Sequence, residues 1–398
     1  MKKNVLFLLI LVIFTLFITN RAYAAPDKDE SWLEDIDNLL TKQINEMNTA
    51  EWEHYLKYVE GDYTVIIDAI SIDDLLRDLV KGNFSFSWQD FFNYIIRVFF
   101  KEFSFNISLM AKIIVIAVLC GIFKNMNDSF ESQSVGDTGY YVCYFIIMFL
   151  VIQSFLSILS VSRTGIERMF DFMLFLFPVL MGLLTSVGHL SSVSVMQPAI
   201  AVLISTVGSV LANIVFPLTA LSAVVTLVNH ISKRIQIHKL GKLLNNLCAW
   251  ILTLVFTIFI GVLTIQGAIT SVFDGVSIRA AKFAVDTFVP IIGKVFSQSL
   301  DVIIGCSLLI KNAVGAAGLI TITLLCLAPA IKIISLLFLY KFAGALLEPI
   351  TDERITKALN GIANVLIVIS ITVIGIALMF FLTITLIIGT GNTSLIMR

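Results

Sequence analysis

Five ionisable residues lie within or against long apolar stretches of this 398-residue chain: Asp171, Asp286, Lys294, Asp301 and Lys332. An ionised side chain in hydrocarbon costs about 2.5 to 3.5 kcal/mol on insertion scales, so such a residue is tolerated where it faces a cavity or a partner. Together with Gln197, Gln266, Gln298, Asn213 and Asn245, the set Asp171, Asp286, Lys294 and Asp301 could line a hydrated pathway for ions or small solutes. A structural reading stands beside it. Asp171 and Asp286 then mark membrane edges, and Lys294 with Asp301, seven residues apart, shares one face of a packed helix.

Other chemistry is missing. The chain has no G-x-x-x-x-G-K-[ST] loop and no H-E-x-x-H, and its four histidines (His54, His189, His230, His238) have no ligand-like spacing. The five cysteines (Cys120, Cys143, Cys248, Cys306, Cys326) all sit in apolar stretches, where cysteine acts as a small hydrophobe. We therefore expect no catalytic residue, no metal and no cofactor, and a protein that is not an enzyme. The run from Lys233 and Arg234 to Lys239 and Lys242 is too short to argue nucleic acid and suits an anionic lipid surface.

The elements that must position these residues follow from composition. Hydrophobic residues make up 58% and charged residues 14%, too little polar surface for a water-soluble body of this length. The expected fold is all-α, a polytopic helical membrane protein. Eight apolar segments follow the first hundred residues, at about 106–123, 140–161, 169–188, 198–228, 247–270, 284–308, 312–340 and 361–388. Pro178 and Pro290 are offset by 112 residues, as are Pro217 and Pro329. Lys242 with Asn245 recurs as Lys357 with Asn360. These matches suggest an internal duplication, with unit one at 165–270 and unit two at 280–388, preceded by two transmembrane helices within 105–164. The four prolines are the expected helix breaks, as in the paired repeats of secondary transporters. Eight crossings would put six basic loop residues inside and seven outside. Six crossings, with the first segment of each unit re-entrant, put eight inside and five outside, and the charge rule favours that plan. Small residues around Gly315, Ala316, Ala317 and Gly318 would let helices approach closely.

The N-terminal part is different. Residues 1–24 carry two lysines, an apolar run of 14 residues and Ala22, Tyr23, Ala24, which read as a cleavable signal peptide. Residues 25–90 hold 16 acidic and 5 basic residues. Within 25–86 the apolar stripe Leu33, Ile36, Leu40, Ile44 and Met47, continued by Trp52, Tyr55, Leu56 and Val59, predicts an acidic extracytoplasmic head of two or three amphipathic helices. Ser71 with Asp74 opens another short helix that closes near Lys81 and Gly82. Ser87 with Asp90 starts an aromatic helix over 87–104, expected to lie in the outer interface.

The stretches SWLEDIDNLL (31–40), FPVLMGLLTSVGHLSSVSVMQPAI (177–200), KLGKLLNNLCAW (239–250) and VSIRAAKFAVDTFVPIIGKVFSQSLDVIIG (276–305) resemble the stage III sporulation protein AE family of endospore-forming bacteria. The resemblance runs from end to end. It implies a multi-pass protein of the mother-cell membrane around the forespore, with the head extracytoplasmic. Its partners would be other membrane proteins of the same stage III sporulation A operon, a secretion-ATPase-like subunit and forespore protein Q. Together these would form a transenvelope channel, or feeding apparatus, in which this chain is a permease-like conduit or a scaffold. The family offers no catalytic residues to carry over. The alternative function is a self-sufficient secondary transporter of a small solute.

Overall fold

The structure, a computed structural model, describes residues 52–53, 72–82, 87–129, 133–229, 238–288 and 293–396. The signal peptide and most of the acidic head lie outside the described residues. Every element described is helical: α1 (Ile72–Lys81), α2 (Trp88–Ser129), α3 (Gln133–Ser186), α4 (Leu190–Val210), a π turn (Leu211–Val215), α5 (Phe216–Val228), α6 (His238–Phe288), α7 (Gly293–Leu347) and α8 (Glu353–Ile396).

The helix ends obey local chemistry. The Asp90 N–H donates to Ser87 Oγ at 3.3 Å, capping α2 as the sequence predicts. Gly82, with φ 70°, follows the last residue of α1. Gly188, with φ 95°, closes α3 in a Schellman motif, its N–H reaching Thr185 O at 2.9 Å and the His189 N–H reaching Leu184 O at 3.2 Å. A residue with a Cβ is strained at that φ, so glycine fixes the turn into α4.

Six stretches of helix are long and apolar enough to cross a membrane: Trp88–Lys124, Thr138–Ser186, Leu190–Val228, Lys239–Ile269, Ile304–Leu347 and Glu353–Thr390. The eight apolar segments of the sequence become six such helices by fusion. Segments 140–161 and 169–188 join in α3, and the described part of 284–308 beyond residue 292 joins 312–340 in α7. The first joint holds Gly165, which packs on the Pro329 ring within the continuous helix, and the second, residues 309–311, holds no turn residue. In the first joint the Arg163–Glu167 pair, Nε to Oε1 at 2.8 Å, instead supports the helix at i,i+4. The aromatic segment 87–104 likewise runs on into the first span as one helix, with Asn106 Nδ2 donating to Glu102 O at 2.9 Å across the expected boundary.

The prolines also behave differently from expectation. Pro178 and Pro329 lie inside unbroken helices, as does Pro198, while Pro290 lies outside the described residues. Apolar surroundings offer the freed carbonyls no water, so the helix persists around a missing N–H. Of the three that the structure describes, Pro217 alone accompanies a break in the α pattern, standing just after the π turn. The two proposed units thus differ in plan: a turn at Gly188 separates α3 from α4, whereas α7 is continuous.

Helices α3 and α7 pair antiparallel over a long seam. Ser154 meets Tyr340 by a hydroxyl hydrogen bond, Gly165 packs on the Pro329 ring, and Gly318 packs on Leu176. Successive contacts step eleven residues along each helix, close to three full turns, so one face of each stays in register. Gly315 packs on Ile388, Gly267 on Leu386 and Gly375 on the Phe256 ring, closing α6, α7 and α8 together. A Cβ at Gly315, Gly318 or Gly375 would collide with its neighbour, so the small-residue face does position helices.

Candidate functional site

The structure places the four predicted pathway residues apart in kind. Asp171 is an exposed residue of α3. Asp286 falls in α6, and Lys294 and Asp301 fall in α7, but their side chains lie outside the described residues. Of the basic run, Lys239 and Lys242 are exposed at the start of α6, while Lys233 and Arg234 lie outside the described residues.

Asp171 lines a partly open cavity of about 340 Å³ between α3 and the α4–π turn junction. Helix α3 contributes Arg163, Glu167 and Asp171, each about one turn beyond the last, which places their side chains on one face. Helix α4 adds Ser205 and Ser209, and the π turn adds Leu211 and Ala212. Asn213 Nδ2 donates to Ser209 Oγ at 3.2 Å. The floor is Phe170, whose ring lies 3.3 Å from where a Cβ of Gly208 would stand and meets Phe380 edge-on at 4.9 Å. In the π turn the Phe216 N–H reaches back five residues to Leu211 O, and Pro217 has no N–H to give. Such π turns often mark functional sites, and this one widens the wall opposite Asp171. The site can bind a cation by a carboxylate and neutral oxygens. Among the described residues no group of three or more histidines, cysteines, aspartates or glutamates is placed to hold a metal ion.

A second polar centre ties one end of the bundle together. Asp352 caps α8: its Oδ1 accepts the Arg354 N–H at 3.3 Å and its backbone carbonyl accepts the Ile355 N–H at 3.0 Å. Its Oδ2 accepts the Tyr140 hydroxyl at 3.1 Å and pairs with Lys124 Nζ at 3.4 Å. Thus the end of α2, the start of α3 and the α7–α8 connection meet at one carboxylate. Thr226 of α5 lies against both Gly241 of α6 and Gly361 of α8, which brings the end of α5 and the start of α6 to the same helix α8. Lys124, Lys239, Lys242, Lys341, Arg354 and Lys357 all belong to the terminal turns or connections at these ends.

Burial alone would raise the Asp352 carboxyl, but the Arg354 amide, the Tyr140 hydroxyl and the charges of Lys124 and Arg354 outweigh it and hold the carboxyl below the usual aspartate value. A carboxylate whose folded value is depressed stabilises above its unfolded value and loses that contribution as pH falls through the folded one. Asp352→Asn is therefore expected to melt below the wild type at neutral pH, with the gap closing as pH falls from about 5 to about 3. Melting of the full chain in one detergent across that range checks this; a gap that does not change with pH refutes it.

Sequence reasoning missed Lys311. It is fully buried in α7 and its Nζ donates to Ile388 O of α8 at 2.8 Å. It falls between the apolar segments 284–308 and 312–340, and a lone lysine with apolar residues on both sides was the available signal.

A bundle of six apolar helices, basic at one cluster of ends and carrying a charged groove on one flank, defines a multi-pass membrane protein. Residues 70–391 match the family described as Stage III sporulation protein AE, and the chain belongs to that family. It is 33% identical over 323 residues to the Stage III sporulation protein AE of Bacillus subtilis (strain 168), covering 81% of each chain. No solved structure matches it.

Proposed function

We propose that this protein is a non-enzymatic membrane subunit of the transenvelope channel, or feeding apparatus, between mother cell and forespore. Family membership across residues 70–391 carries this reading. It lies in the mother-cell membrane facing the forespore, acts as permease-like conduit or scaffold, and assembles with other stage III sporulation A-operon proteins, a secretion-ATPase-like subunit and forespore protein Q. The basic helix ends face the cytoplasm by the charge rule, which leaves residues 25–86 extracytoplasmic. The absence of a P-loop in this sequence fits an energy source on a partner.

The π turn beside Asp171 favours a second reading, a self-sufficient secondary transporter, because irregular backbone facing a carboxylate is how such proteins hold coupling ions. Gentle solubilisation from sporulating cells separates the two. Recovery of the tagged chain in a stable complex with several sporulation membrane proteins is the expected result; solute uptake by the purified chain alone in liposomes, with no such complex, would overturn it.

A further inference from the structure

The connection between α7 and α8 is a single turn laid against α2. Leu347 O accepts the Ile350 N–H at 3.0 Å, the Thr351 N–H at 2.9 Å and the Thr351 hydroxyl at 3.1 Å, which folds residues 348–351 back on the end of α7. Glu348, Pro349 and Ile350 are exposed. The Ile350 carbonyl nevertheless stands 2.7 Å from where a Cβ of Gly121 would be, so the missing side chain is what lets the turn approach α2 this closely. The next residue, Cys120, is fully buried; its Sγ donates to Tyr140 O at 3.6 Å, and the charges of Asp352 and Lys124 both reach its thiol.

This turn is held at its end by one side chain. Asp352 accepts the Tyr140 hydroxyl of α3 and pairs with Lys124 of α2. One turn further along α3, Tyr144 stacks on Tyr140 with ring centroids 6.2 Å apart and 19° between the planes. Tyr144 is 1% exposed and its hydroxyl has no hydrogen-bond partner among the described residues, although the charges of Asp352 and Arg354 act on it as they act on Tyr140. The two hydroxyls therefore oppose each other. That of Tyr140 is satisfied while Asp352 holds the turn in place, whereas that of Tyr144 is desolvated in the same arrangement and gains a hydrogen bond when water enters. Closure thus carries a built-in penalty, which lowers the free energy of opening this end below that of unfolding the bundle.

We propose that residues 348–352 form a lid at the end of the bundle that carries the basic residues, latched by Asp352 on Tyr140 and poised to open by the unpartnered Tyr144 hydroxyl.

The native thiols provide the test. Cys120 lies beside the lid, whereas Cys326, buried with its Sγ donating to Val373 O of α8 at 3.9 Å, reports separation of α7 from α8. The full chain in detergent is alkylated with N-ethylmaleimide, and the rates at Cys120 and Cys326 are read by mass spectrometry of their peptides. In the wild type Cys120 should react the faster. Tyr140→Phe should raise its rate about tenfold and Tyr144→Phe should lower it about tenfold, the scale of one buried hydrogen-bonding group left without a partner, with Cys326 unchanged in both. Each change keeps the aromatic ring, so neither removes the stack. An unchanged or faster Cys120 rate in Tyr144→Phe would mean that this hydroxyl is satisfied in the closed state and overturns the proposal. An unchanged rate in Tyr140→Phe removes the latch, and Cys120 and Cys326 rates that rise together, or are equal in the wild type, replace the lid with unfolding of the bundle.

Discussion

Trp52→Ala is expected to destabilise the folded chain by about 3 to 5 kcal/mol, the range for removing a buried tryptophan side chain. Trp52 is 1% exposed although it lies in the acidic N-terminal region. Its ring meets Phe172 at 5.7 Å and Phe175 at 6.1 Å, both edge-on, on α3. Its indole N–H donates to Thr321 Oγ1 of α7 at 3.1 Å, and that hydroxyl in turn donates to Ala317 O at 2.9 Å. The side chain thus wedges two helices of the bundle together and is satisfied in hydrogen bonding, which is the condition for burying an indole. Trp52→Phe keeps most of the apolar contact and leaves Thr321 without its donor, so about 1 to 2 kcal/mol is expected there. Reversible unfolding of the purified chain in mixed micelles measures both. An alanine variant as stable as the wild type would mean that Trp52 lies outside the bundle.

Trp52 was legible as an apolar position because helical spacing is local; its partner was not, because Thr321 is 269 residues away. The same division applies elsewhere. Ser87, Gly82 and Gly188 announce helix ends through their own side chain or its absence, and each stands where the structure begins or ends a helix. Arg163, Glu167 and Arg168 lower local hydropathy and so imitate a loop between spans, yet they lie in the middle of a 54-residue helix. Hydropathy reports what a segment can dissolve in, and says nothing about whether two apolar segments are stacked end to end. At 1.5 Å per residue α3 and α7 are about 80 Å long, more than twice a hydrocarbon core, so part of each must extend past it. Charged residues partway along such helices then mark the membrane boundary. What makes Asp171 a candidate site is the π turn that lines the same cavity. That turn needed Pro217 to be read together with the register of α4, information that no single residue carries.

Lys311→Met and Lys311→Glu are expected to separate sharply. Lys311 is fully buried and among the described residues has no carboxylate partner; its ammonium is held by the Ile388 carbonyl at 2.8 Å. One turn along, Gly315 packs on the Ile388 side chain, so α7 and α8 cannot separate locally to admit water without losing that contact. Methionine keeps nearly the same length and volume and removes a desolvated charge. Helix α8 continues to Ile396, so the Ile388 carbonyl still lies within regular helix. Lys311→Met should therefore lie within about 1 kcal/mol of the wild type or be more stable, as when buried ionic groups are replaced by apolar ones of similar volume. Glutamate instead sets an acceptor against an acceptor and leaves an uncompensated buried charge, at a cost of about 3 to 5 kcal/mol. Unfolding curves of the two variants under the same conditions check the contrast, and a destabilised Lys311→Met would mean that the ammonium compensates a further buried acceptor. Complementation of sporulation then adds what stability cannot. If Lys311→Met is as stable as the wild type and still supports spores, the lysine serves only the α7–α8 contact. If it is as stable and does not, a positive charge between these two helices is part of what the protein does.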